Sequence, residues 1–263
     1  MKKISFMAFE KEESHIRCRC LSPSLISAAA AMMLIETLYF ASLRPAYSHL
    51  SNTISELGET GAPQAHLVDF GFFLPVGLMV WLALWLTHRH MPGQDASLVL
   101  LALSGLGAGY VLSAFFPCDP GAPLFGSWRT LVHNAAGLID YGGVAVGFLL
   151  FCRYCAGRKA APEAATFAIA ITFAIAGALG FLIFTAAFCL PAALPVLGLI
   201  QRVLELVQFT GVGFVCYILS TRAAPTSGRH WTPGRASVCN PDASGLAPVR
   251  PDVRRLKLMI APS

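Results

Sequence analysis

Six long apolar runs constrain this chain more than any other feature. They cover residues 24–43, 68–87, 97–116, 134–152, 164–188 and 203–220. Each is close to the roughly twenty apolar residues that a helix needs to cross a bilayer. Composition agrees, since 56% of the chain is hydrophobic and only 13% is charged, against about 25% charged in soluble domains. Mean hydropathy is +0.63. An ordinary soluble domain is therefore excluded. The expected fold is all-α: a polytopic membrane protein whose six transmembrane helices form a bundle.

Three stretches follow from this. Residues 1–23 are polar and mixed in charge and read as a disordered cytoplasmic tail. Residues 24–220 form the membrane domain. Residues 221–263, rich in Pro, Gly and Arg without helical periodicity, read as a second disordered, basic tail. Basic residues precede the first run as in a signal peptide, but the run is longer than a signal's apolar core and reads as a retained helix.

Lys and Arg set the orientation, because they concentrate in cytoplasmic segments. With the N-terminus inside, all but three of the nineteen fall on the cytoplasmic side; the exceptions are Arg44, Arg129 and Arg202. Both ends are then cytoplasmic, and three loops face outward. The net charge of +5 is read through this asymmetry rather than as a nucleic-acid signal. The expected partner is the lipid bilayer of a cell membrane.

The eight cysteines fit neither a zinc pattern nor a disulfide ladder. Cys152 and Cys155 are spaced as a redox pair but lack its βαβ context, so they read as structural. Cys118 and Cys189 both fall on the outer side, where a disulfide between them is one alternative. His49, His66 and His133, with Asp69 and Asp119, are possible zinc donors. No HxxH or HExxH spacing organises them, so no metal site is expected and no cofactor is named.

Small residues recur every four positions at Gly105, Gly109 and Ser113, at Gly143 and Gly147, and at Ala170, Ala174 and Ala178. Such stripes let helices approach closely in lipid.

Charge inside an apolar run is costly, at least ~2.5 kcal/mol near the bilayer centre, so Glu36, Asp140 and Glu205 require an account. Glu36 lies roughly 12 Å below the outer end of its helix, and Asp140 roughly 10 Å deep, at 1.5 Å per residue. Periodicity places His133, Gly137 and Asp140 on one helix face, and Gln201, Glu205 and Gln208 on one face of another. Arg202 and Glu205 are spaced to pair. These groups either tie the bundle together or line a polar pocket opening outward.

The outer loops add to the set. Thr53 and Glu56 fit a capping box, with Gly58 ending a short interfacial helix. Pro117 and Pro120 flank Cys118 and Asp119, which restricts the backbone there. Asp119 is then either a fixed carboxylate or the start of a turn. The candidate catalytic residues are Asp119, His133 and Glu205, as acid and base. The candidate ligand-binding residues are Asn52, Ser55, Glu56, Gln201, Asp140, Glu36 and Arg202, whose planar fork suits an anionic head group.

Three motifs carry a resemblance. Tyr47-Ser through Asn52-Thr-Ile-Ser-Glu-Leu-Gly, with Gly61-Ala-Pro, comes first. Phe116-Pro-Cys-Asp-Pro-Gly followed by His133 comes second, and Gly198-Leu-Ile-Gln-Arg202 third. In this order they resemble a bacterial and archaeal membrane family catalogued as domain of unknown function 998. The match runs over roughly residues 24–220. It implies six helices, an outward cluster of motifs and a cytoplasmic-membrane location, and no established activity. The family pattern often has a second Cys where this chain has Ala122, so a disulfide within that loop is not available here. A more distant likeness is to eukaryotic six-helix proteins of lipid-anchor remodelling, and fold-level likeness does not fix function.

Three functions compete. The first is a site on the extracytoplasmic side that binds or processes a lipid or other amphiphile. No Gly-x-Ser-x-Gly or Ser-x-x-Lys motif supports a serine nucleophile there. The second is a proton-coupled or small-solute transporter titrating at Glu36, Asp140 and Glu205. Its weakness is the apolar inner half of every helix. The third is a non-enzymatic scaffold or sensor, whose Arg254, Arg255 and Lys257 touch anionic lipid.

Overall fold

The computed structural model describes residues 2–90, 94–157, 163–190 and 195–222. The chain divides into two units, residues 1–223 and 224–263. The second unit, and with it nearly all of the tail expected over 221–263, lies outside the described residues.

Every regular element in the described residues is helical. Helix α1 spans Lys2–Ser42. A 3₁₀ helix, Ile54–Gly58, follows in the first loop. The next membrane segment is continuous but irregular: α2 is Ala65–Val68, a π-helical turn covers Asp69–Phe73, and α3 is Leu74–His90. Then come α4 (Gln94–Phe115), α5 (Trp128–Ala156), α6 (Ala164–Cys189) and α7 (Leu197–Arg222). Six of these segments are long and apolar enough to cross a membrane, as the six apolar runs require.

The helices depart from the sequence reading at their starts and at one internal turn, and α7 too begins earlier than expected, at Leu197 rather than residue 203. Helix α1 begins at Lys2, so the stretch expected to be a disordered tail is helical. Its Lys, Glu, Met, Phe and Ala content carries high or moderate helix propensity. Helix α5 begins at Trp128 rather than at residue 134, because Ser127 caps it. The π-turn sits just before Pro75. Proline lacks an N–H and its ring crowds the carbonyl four residues back, and a wider turn relieves that conflict.

The helices pack as a closed ring. α1 contacts α3, α3 contacts α4, α4 contacts α5, α5 contacts α6, α6 contacts α7, and α7 returns to α1. The closest seam is between α4 and α5. A Cβ on Gly143 would lie 2.8 Å from the Ala102 carbonyl oxygen, and one on Gly105 would strike the Ile139 carbonyl. The small-residue stripes thus bring two backbones together. Leu103, Leu106, Phe148 and Phe151 are fully buried inside, while Leu101, Leu149 and Leu206 are exposed on the outer faces. Helix α7 is the most buried of the six spans and α6 the least.

Candidate functional site

The first loop, residues 43–64, is built on its own polar groups. Glu56 Oε1 accepts from the Thr53 N–H at 2.7 Å and from the Thr53 hydroxyl at 3.1 Å. Glu56 Oε2 accepts from Asn52 Nδ2 at 2.6 Å. The Asn52 amide oxygen takes the Ser48 N–H at 2.8 Å. Together these close the capping box and fix the 3₁₀ turn.

Arg202 ties this loop to α7. Its Nη1 donates to the Asn52 carbonyl at 2.9 Å and the Gly198 carbonyl at 2.8 Å. Its Nη2 donates to the Tyr47 hydroxyl at 2.6 Å. The expected pairing with Glu205 is not made: the guanidinium turns to the loop, and Glu205 turns inward. Burial pushes the Tyr47 phenol up to about 12 against the opposing pull of Arg202. His49 is held below its usual range by burial and then by Arg202.

The second loop, residues 116–127, is pinned to the first. Glu59 Oε1 pairs with Arg44 at 2.6 Å, and Glu59 Oε2 accepts from the Gly121 N–H at 2.7 Å. Arg44 also donates to the Glu56 carbonyl. The Thr60 N–H bonds the Cys118 carbonyl at 2.8 Å, and the Cys118 thiol donates to the Ser55 carbonyl at 3.6 Å. Burial, followed by the Glu59 and Glu56 carboxylates, pushes that thiol up to about 12. Cys118 and Cys189 are both free thiols, buried and exposed respectively, so the expected alternative of a disulfide between them is not realised. Gly121 and Ala122 both take positive φ, 77° and 43°, which lets the loop turn back sharply.

Asp119 caps α5. Its Oδ2 accepts from the Ser127 N–H at 2.6 Å and its Oδ1 from the Ser127 hydroxyl at 2.9 Å. Its own N–H donates to Thr130 Oγ1 at 2.8 Å. These bonds, the Ser127 N–H first, hold the carboxyl below its ordinary range.

Beneath the loops lies a cavity of about 200 Å³. Glu205 sits in its wall and is only 3% exposed. Tyr110 from α4 donates to one carboxylate oxygen and Tyr141 from α5 to the other, each at 2.9 Å. Gln201 lies one turn before Glu205, and its amide oxygen accepts from the Ile54 N–H at 2.6 Å. The 3₁₀ turn is thus tied to Gln201 on α7, and Tyr110 and Tyr141 are tied to Glu205 one turn further along the same helix. Asp140, 5% exposed, lines the same cavity. Its Oδ1 has no hydrogen-bond partner among the described residues. His133 Nδ1 lies 3.0 Å from the Phe116 carbonyl. A carbonyl only accepts, so Nδ1 carries the proton and Nε2 is the acceptor of the neutral ring.

The remaining walls are mainly apolar and aromatic, including Phe73, Leu138, Phe181 and Phe184. No Lys or Arg is among the lining residues. Among the described residues no three His, Cys, Asp or Glu side chains are placed to hold a metal ion.

The expected site residues therefore divide. Ser55, His133, Asp140, Gln201 and Glu205 line one cavity. Of the proposed acid–base set, His133 and Glu205 share it, while Asp119 lies outside it and holds the cap residue of α5, Ser127. Asn52 and Glu56 border a separate hollow, and Thr53, Ala122 and Leu124 border both. Arg202 lines neither. Glu36 does not line the cavity, and Asp69 on the π-turn lies within electrostatic reach of it. Glu36 is fully buried, and neither of its oxygens has a partner among the described residues. Sequence reasoning missed Tyr110 and Tyr141, the two donors to Glu205, and Glu59, the link between the loops.

A family model described as a protein of unknown function (DUF998) matches residues 26–234. No curated protein and no solved structure matches the chain.

Proposed function

The chain belongs to the DUF998 family, and from that premise we propose that it binds a lipid or other amphiphile in the cavity under its two long loops. The observation that carries this reading is the make-up of the cavity: mainly apolar and aromatic walls around a few convergent polar groups, Glu205, Asp140, His133 and Gln201. Ligand sites share that pattern. At about 200 Å³ the space equals roughly six or seven water molecules. That suits a head group and the first few carbons of a chain. The rest of the chain passes towards the bilayer past α6, whose Phe181, Phe184 and Thr185 line the cavity and whose span is the least buried.

The Lys and Arg distribution supports placing these loops on the extracytoplasmic side, with both ends cytoplasmic. A reporter fused after Ser263 then reads as cytoplasmic.

Gly137 supplies the test. It lines the cavity, and a Cβ built on it meets nothing within 4 Å. A Gly137→Phe variant projects a ring into the space from a Cβ that meets no neighbour. Native mass spectrometry of protein released from lipid nanodiscs is expected to show a retained amphiphile on the wild type and none on the variant. Equal retention by both would overturn the reading.

A further inference from the structure

The cavity is lined by two carboxyl side chains and by no Lys or Arg, and its one imidazole, His133, turns Nδ1 to the Phe116 carbonyl. Glu205 receives a phenol on each oxygen, whereas Asp140 has an oxygen with no partner among the described residues. Buried polar groups are almost always hydrogen-bonded, and each exception needs an explanation. Here the exception is a buried carboxyl that shares its cavity with a second one, and buried charges without a partner are costly. Arg202, the nearest candidate by sequence, is held by Asn52, Gly198 and Tyr47 and does not line the space. A phosphate or carboxylate head group would therefore meet acid without a neutralising arginine.

The aromatic lining points the same way. Tyr110, Tyr141, Phe73 and Phe184 all border the cavity. Aromatic faces attract cations, most strongly where water is excluded. An ammonium group placed here meets carboxylates and ring faces together, and its N–H groups supply the donor that Asp140 lacks.

We propose that the head group taken by this cavity is a protonated amine, so that the ligand is a single-chain alkylammonium amphiphile held between Asp140 and Glu205. This rests on the reading of the cavity as an amphiphile site. It replaces the anionic head group expected from Arg202 with one of opposite charge.

The test compares dodecylamine, dodecanol and dodecyl phosphate on the full chain in nanodiscs of zwitterionic lipid. Gly137→Phe is the baseline for partitioning into the bilayer. Specific binding of dodecylamine is expected to be at least tenfold tighter than that of dodecanol, with dodecyl phosphate the weakest. Glu205→Gln and Asp140→Asn are each expected to abolish the amine preference while dodecanol binding remains. Dodecanol bound as tightly as the amine, or dodecyl phosphate bound most tightly, overturns the amine assignment and leaves the amphiphile site standing. Binding of none of the three above the Gly137→Phe baseline removes both. The wild-type ligand series decides the matter even if a carboxyl variant does not fold.

Discussion

The hydroxyl of Tyr141 on α5 lies 2.9 Å from Oε1 of Glu205 on α7. This one bond joins two helices through the wall of the cavity, and Tyr110 repeats it from α4 on the other oxygen. Three helices therefore meet at a single carboxylate. Removing one donor leaves a buried oxygen unmatched, at a cost of about 1–3 kcal/mol. Tyr141→Phe is expected to lower unfolding stability by that amount, and Tyr110→Phe similarly. Thermal unfolding in nanodiscs measures both; no change in either variant would show that these bonds do not hold the helices.

Arg202 separates a structural role from a ligand role. It makes three hydrogen bonds that hold the first loop to α7. Arg202→Ala is expected to cost roughly 2–4 kcal/mol and to open residues 47–56 to protease. Arg202→Lys restores only part of this, because an ammonium cannot reproduce the fork of a guanidinium. Dodecylamine affinity in whatever protein remains folded should not shift. Loss of affinity with full stability would return Arg202 to the binding site.

Asp119 gives a pH signature. Its folded carboxyl titrates below the ordinary value of 3.8, so its stabilising effect is complete above the unfolded value and is lost as pH falls through the folded one. The stability gap between wild type and Asp119→Asn is expected to stay constant from neutral pH to about 5 and to close below that. A gap that widens on acidification would contradict the capping role.

Cysteine chemistry divides along burial. The thiolate is the reactive form, and the Cys118 thiol is pushed up to about 12, whereas Cys189 is exposed. At pH 7.5 a maleimide is expected to label Cys189 readily and Cys118 only after denaturation. Mass spectrometry of tryptic peptides reads both sites.

Glu36 is the opposite case to Glu205, since neither of its oxygens has a partner among the described residues. An apolar residue of similar shape relieves an unpaired buried group. Glu36→Met is expected to raise stability by about 1–3 kcal/mol. A fall would show that Glu36 has a partner that forms in the working protein.

The sequence made the local part of this site legible and left the rest hidden for a physical reason. Helical periodicity alone placed His133, Gly137 and Asp140 on one face, and Gln201 with Glu205 on another, and all five line the cavity. Nothing local says that those two faces look at each other. Tyr110 and Tyr141 escaped notice because a tyrosine in an apolar run looks like an interfacial or packing residue until its partner is known. The charge of Arg202 suggests an anion, while its partners are two backbone carbonyls and the Tyr47 hydroxyl. The start of α5 was misplaced because its cap, Ser127, is held by Asp119 across the second loop. The six helices were legible throughout, since length and apolarity are properties of each segment alone.

Photo-crosslinking shows whether the cavity is where an amphiphile binds. A long-chain amine bearing a diazirine near its head group is irradiated with the protein in nanodiscs, and the labelled peptides are mapped. Labels are expected on α5 and α6 around Leu138, Phe181 and Phe184, displaced by unlabelled dodecylamine and absent in Gly137→Phe. Labels confined to lipid-facing residues such as Leu101, Leu149 and Leu206, unaffected by competitor, would contradict binding in the cavity.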